Sequence, residues 1–172
     1  MIMKRNKILD SDQIERKFQR MARQLLEAHH SESEVIIMGV EGQGKEVALR
    51  LQSILDNIGK LKTDIKNIKL DKENPLSQEI VCSASKDEIK GKIVIVVDDV
   101  LNSGKTLIYA VKHILDSGPK GVYTTVLVDR IHRSFPVRAD YCGLSLSTHL
   151  NEHISVKLSK TKSKSDAVYL EL

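Results

Sequence analysis

The apolar positions of this chain follow two different spacings. Val35-Ile36-Ile37-Met38-Gly39-Val40 and Ile93-Val94-Ile95-Val96-Val97 are nearly unbroken aliphatic runs, the pattern of strands covered on both faces of a parallel sheet. Elsewhere the spacing changes to three and four. Ile14, Phe18, Met21, Leu25 and Leu26 share one helical face. Val47, Ala48, Leu51, Ile54, Leu55 and Ile58 share a second, and Leu107, Ile108, Val111, Ile114 and Leu115 a third. Asp10 and Gln13 form a capping box for the first helix, with Leu9 stapled onto Ile14. Gly118 and Pro119 close the third. Val122 to Val128 read as a further strand, residues 129–139 as a basic loop, and three short strand-like pieces around Tyr141, Ile154 and Val168 end the chain. Residues 62–82 are weakly patterned, with β-like pieces around Ile65, Ile68 and Leu70 before the polar run Asp71-Lys72-Glu73-Asn74-Pro75. Alternating strands and helices predict an α/β fold with a doubly wound, mainly parallel sheet flanked by helices. Ser159–Ser165, rich in Ser and Lys, reads as a mobile surface loop.

Composition narrows the picture only a little. A chain of 172 residues suits one domain over 1–172, and 41% apolar with 29% charged residues is ordinary for a globular protein. Net charge +4 suits a polyphosphate ligand or a nucleic acid without choosing between them. Aromatics at 3% and the lack of Trp argue against a base-stacking platform for single strands. No apolar stretch is as long as a membrane span, and Met1-Ile2-Met3-Lys4-Arg5 does not open a signal peptide. Cys82 and Cys142 lack motif spacing and read as reduced thiols, so a cytoplasmic location is expected.

The chemistry concentrates where the second aliphatic run stops. Two carboxylates, Asp98 and Asp99, are followed by Asn102-Ser103-Gly104-Lys105-Thr106 and then by a helix. Ligands of open α/β sheets collect where strand ends meet helix starts. This loop offers a phosphate backbone N–H groups, a close-approach glycine, hydroxyls and a positive helix end. The acid pair would repel a bare phosphate, so a ligand carrying sugar hydroxyls or a metal ion is implied. Gly39-Val40-Glu41-Gly42-Gln43-Gly44-Lys45 has Walker A spacing, but Glu46 stands where the magnesium-binding hydroxyl belongs, and Glu41 sits within the would-be cradle. Val47 replaces the third glycine of a dinucleotide fingerprint. His149-Leu150-Asn151-Glu152-His153 matches an inverted zinc-protease motif, yet its flanks read as strands or turns rather than the helix such a site requires.

A hydrophobic strand, an acid pair and a small-Ser-Gly-x-Thr loop together resemble the signature of type I phosphoribosyltransferases. Asp129-Arg130-Ile131-His132-Arg133, followed by Pro136-Val137-Arg138-Ala139-Asp140-Tyr141, resembles more narrowly the pyrimidine operon regulator/uracil phosphoribosyltransferase family. Purine-salvage relatives usually carry an acidic residue where Asn102 stands. The resemblance spans roughly residues 8 to 158 and weakens at 60–80. It implies a small hood of short strands beside the sheet, and transfer of ribose 5-phosphate from phosphoribosyl pyrophosphate (PRPP) to uracil, giving UMP and pyrophosphate. In that reading Asp98 and Asp99 hold the ribose hydroxyls, with Mg²⁺ held indirectly through PRPP. Asn102, Ser103, Gly104, Lys105 and Thr106 take the 5′-phosphate, and Glu41, Gly42, Gln43 and Gly44 form the pyrophosphate loop. Arg130 lies near pyrophosphate and base, although a pairing with Asp129 or a subunit contact would also account for it. A flexible lid falls at about 70–78, where Lys69 and Lys72 stand in for the usual arginine. Two departures are acidic Glu41 and neutral Gln43, since this loop usually carries a base. The resemblance also implies a homodimer or higher oligomer. It leaves open two alternatives: a regulator binding RNA through Arg16, Arg20, Arg23, Arg133 and Arg138, and a PRPP or UMP sensor with little turnover.

Overall fold

The computed structural model describes residues 5–149, 151–160 and 164–172. Its larger sheet has six strands: β2 (Glu34–Val40), β3 (Lys62–Lys69), β4 (Val81–Cys82), β5 (Ile93–Leu101), β6 (Gly121–Arg130) and β7 (Tyr141–Leu146), in the spatial order β4-β3-β2-β5-β6-β7. All neighbours pair in parallel except the two-residue β4, which runs antiparallel to β3. Strand order reverses between β2 and β5, so the loops leaving these two strands open side by side. That crevice is the switch point at which such sheets bind ligands.

The two aliphatic runs are buried on alternate faces, as a doubly covered sheet requires. Val35 and Ile37 of β2, with Ile95 and Val97 of β5, pack under α1 (Ser11–Ala28) and α2 (Gln43–Ile58). Ile36, Met38, Val94 and Val96 pack on the other face with Leu107, Ala110 and Ile114 of α4 (Lys105–Leu115). The short α3 (Lys86–Ile89) adds Ile89 there. The Asp10–Gln13 capping box forms as the sequence predicts.

A second, three-stranded antiparallel sheet in the order β1-β9-β8 makes the hood: β1 (Arg5–Leu9), β8 (His153–Lys157) and β9 (Ala167–Glu171). Side chains of α2 tie it down. Gln43 Oε1 accepts the Leu158 N–H at 2.9 Å. Arg50 donates to buried Asp166 at 2.6 Å and to the Ser159 carbonyl at 2.8 Å.

Several expectations change. Of the three final strand-like pieces, that around Tyr141 joins the larger sheet as β7, and those around Ile154 and Val168 form the hood. The hood gains β1, whose polar sequence gives no strand signal. Residues 62–69 form one continuous eight-residue strand. β5 runs on through Asp98 and Asp99 to Leu101, because β6 continues to pair beside it. The third helix stops at Leu115, which is 55% exposed rather than inward, and Gly118 takes its left-handed turn (φ +64°) beyond the C-cap at Asp116. Of the Ser159–Ser165 loop, 161–163 lie outside the described residues, while Ser159 binds Asp166. Among the described residues no helix is long and apolar enough to cross a membrane.

Candidate active site

A cavity of about 430 Å³ opens at the switch point, lined by Lys72, Glu73, the stretch Asp98–Leu107 and the β8 residues His153–Val156. The acid pair and the whole Asn102–Thr106 loop thus meet in one cavity. Asp98 is almost wholly buried at 2% exposure, whereas Asp99 is partly open. Burial, reinforced by the neighbouring Asp99 charge, pushes the Asp98 carboxyl up to about 7, and Lys72 pulls the other way. Asp98 Oδ1 also accepts the Asp99 N–H at 2.9 Å, which fixes the carboxylate plane.

The loop after β5 owes its shape to Gly104. This residue caps α4 at φ +88°, and a Cβ there would lie 2.6 Å from Val137 Cγ1. Gly104 has no side chain to cap α4; the Lys105 N–H donates to Ser103 Oγ at 3.3 Å, and an anion at this helix start would meet the remaining first-turn N–H groups. Residues downstream of β6 support the loop from below: the Ser103 carbonyl accepts the Ser134 and Phe135 N–H groups at 2.9 and 3.0 Å. That support leaves no local signal, because it pairs residues far apart in the chain.

Arg130 does not pair with Asp129. Nε donates to Thr148 Oγ1 at 2.8 Å, one guanidinium N–H to Asn102 Oδ1 at 3.1 Å, and another to the His149 carbonyl at 3.3 Å. It braces the Asn102 loop against the 148–149 turn. Asp129 instead pairs with Arg133 at 2.6 Å. Of the 149–153 motif, residue 150 lies outside the described residues; the Glu152 carboxylate accepts the His149 N–H, and His153 begins β8.

Glu41, Gly42, Gln43 and Gly44 lie at the adjoining end of β2 but outside the cavity lining. Glu41 is exposed, and the Gln43 side chain is engaged with the hood. Gly44 packs against the acid pair; a Cβ would lie 2.8 Å from Asp98 Oδ1 and 3.0 Å from the Val97 carbonyl. Gln43 and Gly44 thus also join α2 to the hood and to Asp98.

Residues 71–77, where the lid is expected, are held together by Asp71. Its carboxylate accepts the Glu73 and Asn74 N–H groups and the Ser77 hydroxyl, bonds that lower its pKa. Lys72 reaches the acid pair, with Nζ 3.1 Å from Asp98 Oδ1 and 3.8 Å from Asp99 Oδ1; Lys69 is exposed and outside the lining. The β8 wall and Lys105's bond to the Glu73 carbonyl (3.1 Å) were not visible in the sequence.

The five arginines fall into two sets. Arg16 and Arg20 line a shallow hollow with Leu9, Gln13 and Lys17, while Arg133 and Arg138 line another with Ile131 and Phe135. Arg20 also donates to the Cys142 and Gly143 carbonyls of β7, and Arg23 to Gln19.

Residues 4–160 match the family model described as "Phosphoribosyl transferase domain". A protein of Alkaliphilus metalliredigens named bifunctional protein PyrR is 37% identical over 171 residues, covering 95% of this chain and 93% of its own. A protein of the same name from Haemophilus ducreyi is 33% identical over 157 residues, covering 87% and 88%. Among solved structures, the hypoxanthine phosphoribosyltransferase of Trypanosoma cruzi superposes with TM-score 0.78 at 16% identity, covering 96% of each chain, a likeness of fold alone. The switch-point cavity, its acid pair and the glycine-capped loop are therefore those of a chain that belongs to the phosphoribosyl transferase domain family.

Proposed function

We infer that the chain transfers ribose 5-phosphate from PRPP to a nucleobase, and that the base is uracil, giving UMP and pyrophosphate. The observation that carries this reading is the juxtaposition in one cavity of a buried acid pair and a glycine-capped helix start. Asp98 and Asp99 accept hydrogen bonds from the ribose 2′- and 3′-hydroxyls. Ser103, Thr106 and the first-turn N–H groups of α4 receive the 5′-phosphate, with Lys105 beside them. The β8 wall restricts water around the developing ribosyl cation. Two carboxylates, without a third His, Cys, Asp or Glu grouped with them among the described residues, fit Mg²⁺ bound partly through substrate oxygens. The ammonium of Lys72 at 3.1 Å from Asp98 supports a place for positive charge here. When bound, Mg²⁺ supplies Lewis-acid stabilisation of the leaving pyrophosphate.

Uracil is supported by the Asp129–Tyr141 resemblance and by Asn102 in place of an acidic residue. The test is pyrophosphate release from PRPP and Mg²⁺ with uracil, hypoxanthine, guanine, xanthine and adenine offered separately. Uracil-dependent release is expected. Release with a purine alone would overturn the base assignment, and binding of PRPP without release would favour a sensor.

A second reading, an RNA-binding regulator of pyrimidine genes, draws on the basic hollows of Arg16 and Arg20 and of Arg133 and Arg138. The bifunctional name carried by the relatives also favours it. Its mark would be RNA affinity falling steeply with salt; no binding at low salt would end it. A homodimer or higher oligomer belongs to this proposal too, and sedimentation would test it.

A further inference from the structure

The two lysines of the cavity do not point into open space. Lys72 Nζ, on the lid, lies 3.1 and 3.4 Å from the two Asp98 oxygens and 3.8 Å from Asp99 Oδ1. Lys105 Nζ, on the phosphate loop, crosses in the opposite direction to the Glu73 carbonyl of the lid at 3.1 Å. The segment between is held in shape by Asp71 and anchored by Pro75, which is buried beside Tyr109 and Lys112 of α4. Each contact sits where the other half of a metal-bearing sugar phosphate would bind. A cation-coordinated ribose competes with Lys72 for the carboxylates, and a phosphate competes with the Glu73 carbonyl for Lys105.

We propose that Lys72 and Lys105 form a two-point latch between lid and site, in which Lys72 serves as an internal counter-ion that a divalent cation must displace from Asp98 and Asp99. The proposal rests on reading the acid pair as the seat of a metal-carrying sugar phosphate. The latch has two consequences. Free metal binds weakly, because it must expel an ammonium already paired to both carboxylates and gains nothing at Lys105. Only a ligand that joins divalent charge and phosphate in one molecule releases both points together. Once released, Lys72 is a free cation on the lid, where the leaving pyrophosphate gathers charge.

The experiment is a titration of Mn²⁺ alone, followed by loss of the free-ion EPR signal, on wild type, Lys72→Met, Lys72→Arg and Lys72→Met/Asp99→Asn. The Lys72 side chain is 41% exposed, so the methionine can be accommodated. Lys72→Met is expected to bind Mn²⁺ about tenfold more tightly, a change typical of removing one close charge pair from a partly screened site. Lys72→Arg should keep the weak affinity, and the added Asp99→Asn should abolish the gain. Hydrogen exchange across residues 71–77 should also rise in Lys72→Met. Unchanged Mn²⁺ affinity in Lys72→Met, or a gain that survives Asp99→Asn, overturns the latch. The pyrophosphate-release assay separates this from the functional reading. Release by wild type with unchanged Mn²⁺ binding in Lys72→Met removes only the latch. The expected Mn²⁺ gain in a chain that releases no pyrophosphate removes only the transfer reaction.

Discussion

Two glycine-capped loops open side by side at the switch point, after β2 and after β5. Both begin a helix from a glycine at positive φ, Gly42 at +101° and Gly104 at +88°, and neither cap supplies a side-chain hydrogen bond. Their surroundings differ. Gly104 sits under Val137 and Phe135, in a loop whose residues line the cavity. Gly42 faces open space; of the residues after it, Gln43 bonds the hood and Gly44 packs against Asp98 without lining the cavity. Similar backbone devices thus serve different ends. The residues of the loop after β5 line the cavity, while the loop after β2 joins α2 to Asp98 and to the hood.

Substitutions can break that contrast. The largest effect is expected for Gly44→Ala, whose Cβ would press on the Asp98 Cα and the Val97 carbonyl at 3.0 Å. Backbone against backbone cannot yield as a flexible side chain can, so chemical denaturation should report a loss of about 3 kcal/mol. Gly104→Ala combines positive φ with the Val137 clash. It should cost about 2 kcal/mol and weaken ribose 5-phosphate binding at least roughly tenfold by calorimetry. Gly42→Ala has the backbone strain without the clash, and should cost about 1 kcal/mol with ribose 5-phosphate affinity unchanged. If both alanines weakened phosphate binding equally, the division of labour would fail.

Asp98, lying between the loops, sharpens the comparison through pH. Its folded pKa, about 7, is raised above the unperturbed 3.8, so the folded chain holds a proton that the unfolded chain releases. The group's favourable contribution is therefore full below about pH 4 and is lost as pH climbs through 7. The melting temperature of Asp98→Asn, relative to wild type, should rise across that window and then level off. A constant difference would mean that Gly44 and β5 do not bury the carboxylate. The smallest effect is Gln43→Ala, which removes one hydrogen bond to Leu158, about 1 kcal/mol by thermal unfolding, with phosphate affinity intact.

Local signals carried most of the body. The aliphatic runs of β2 and β5 declare double burial, and the Asp10–Gln13 box closes within a single turn. The acid pair and the Asn102–Thr106 loop were legible because contiguous residues deliver their chemistry to one place. What escaped depends on partners distant in sequence. β3 is a strand of Lys, Asp, Asn and Thr whose polar side chains find Glu88 and Asp56, and its pairing with β2 outweighs its weak pattern. β8 lines the cavity through its position alone, and Arg130 braces Asn102 across 28 residues. Leu115 misled because helical spacing gives a face but does not say how far the sheet extends to cover it.

The hood joins residues near the two extremes of the described chain: β1 has its only sheet partner in β9, where Arg5 pairs with Glu171. Closing so long a loop is slow compared with forming the neighbouring βα units. The loop after β5 and the acid pair can therefore take shape before β8, the far wall of the cavity, is held in place by β9.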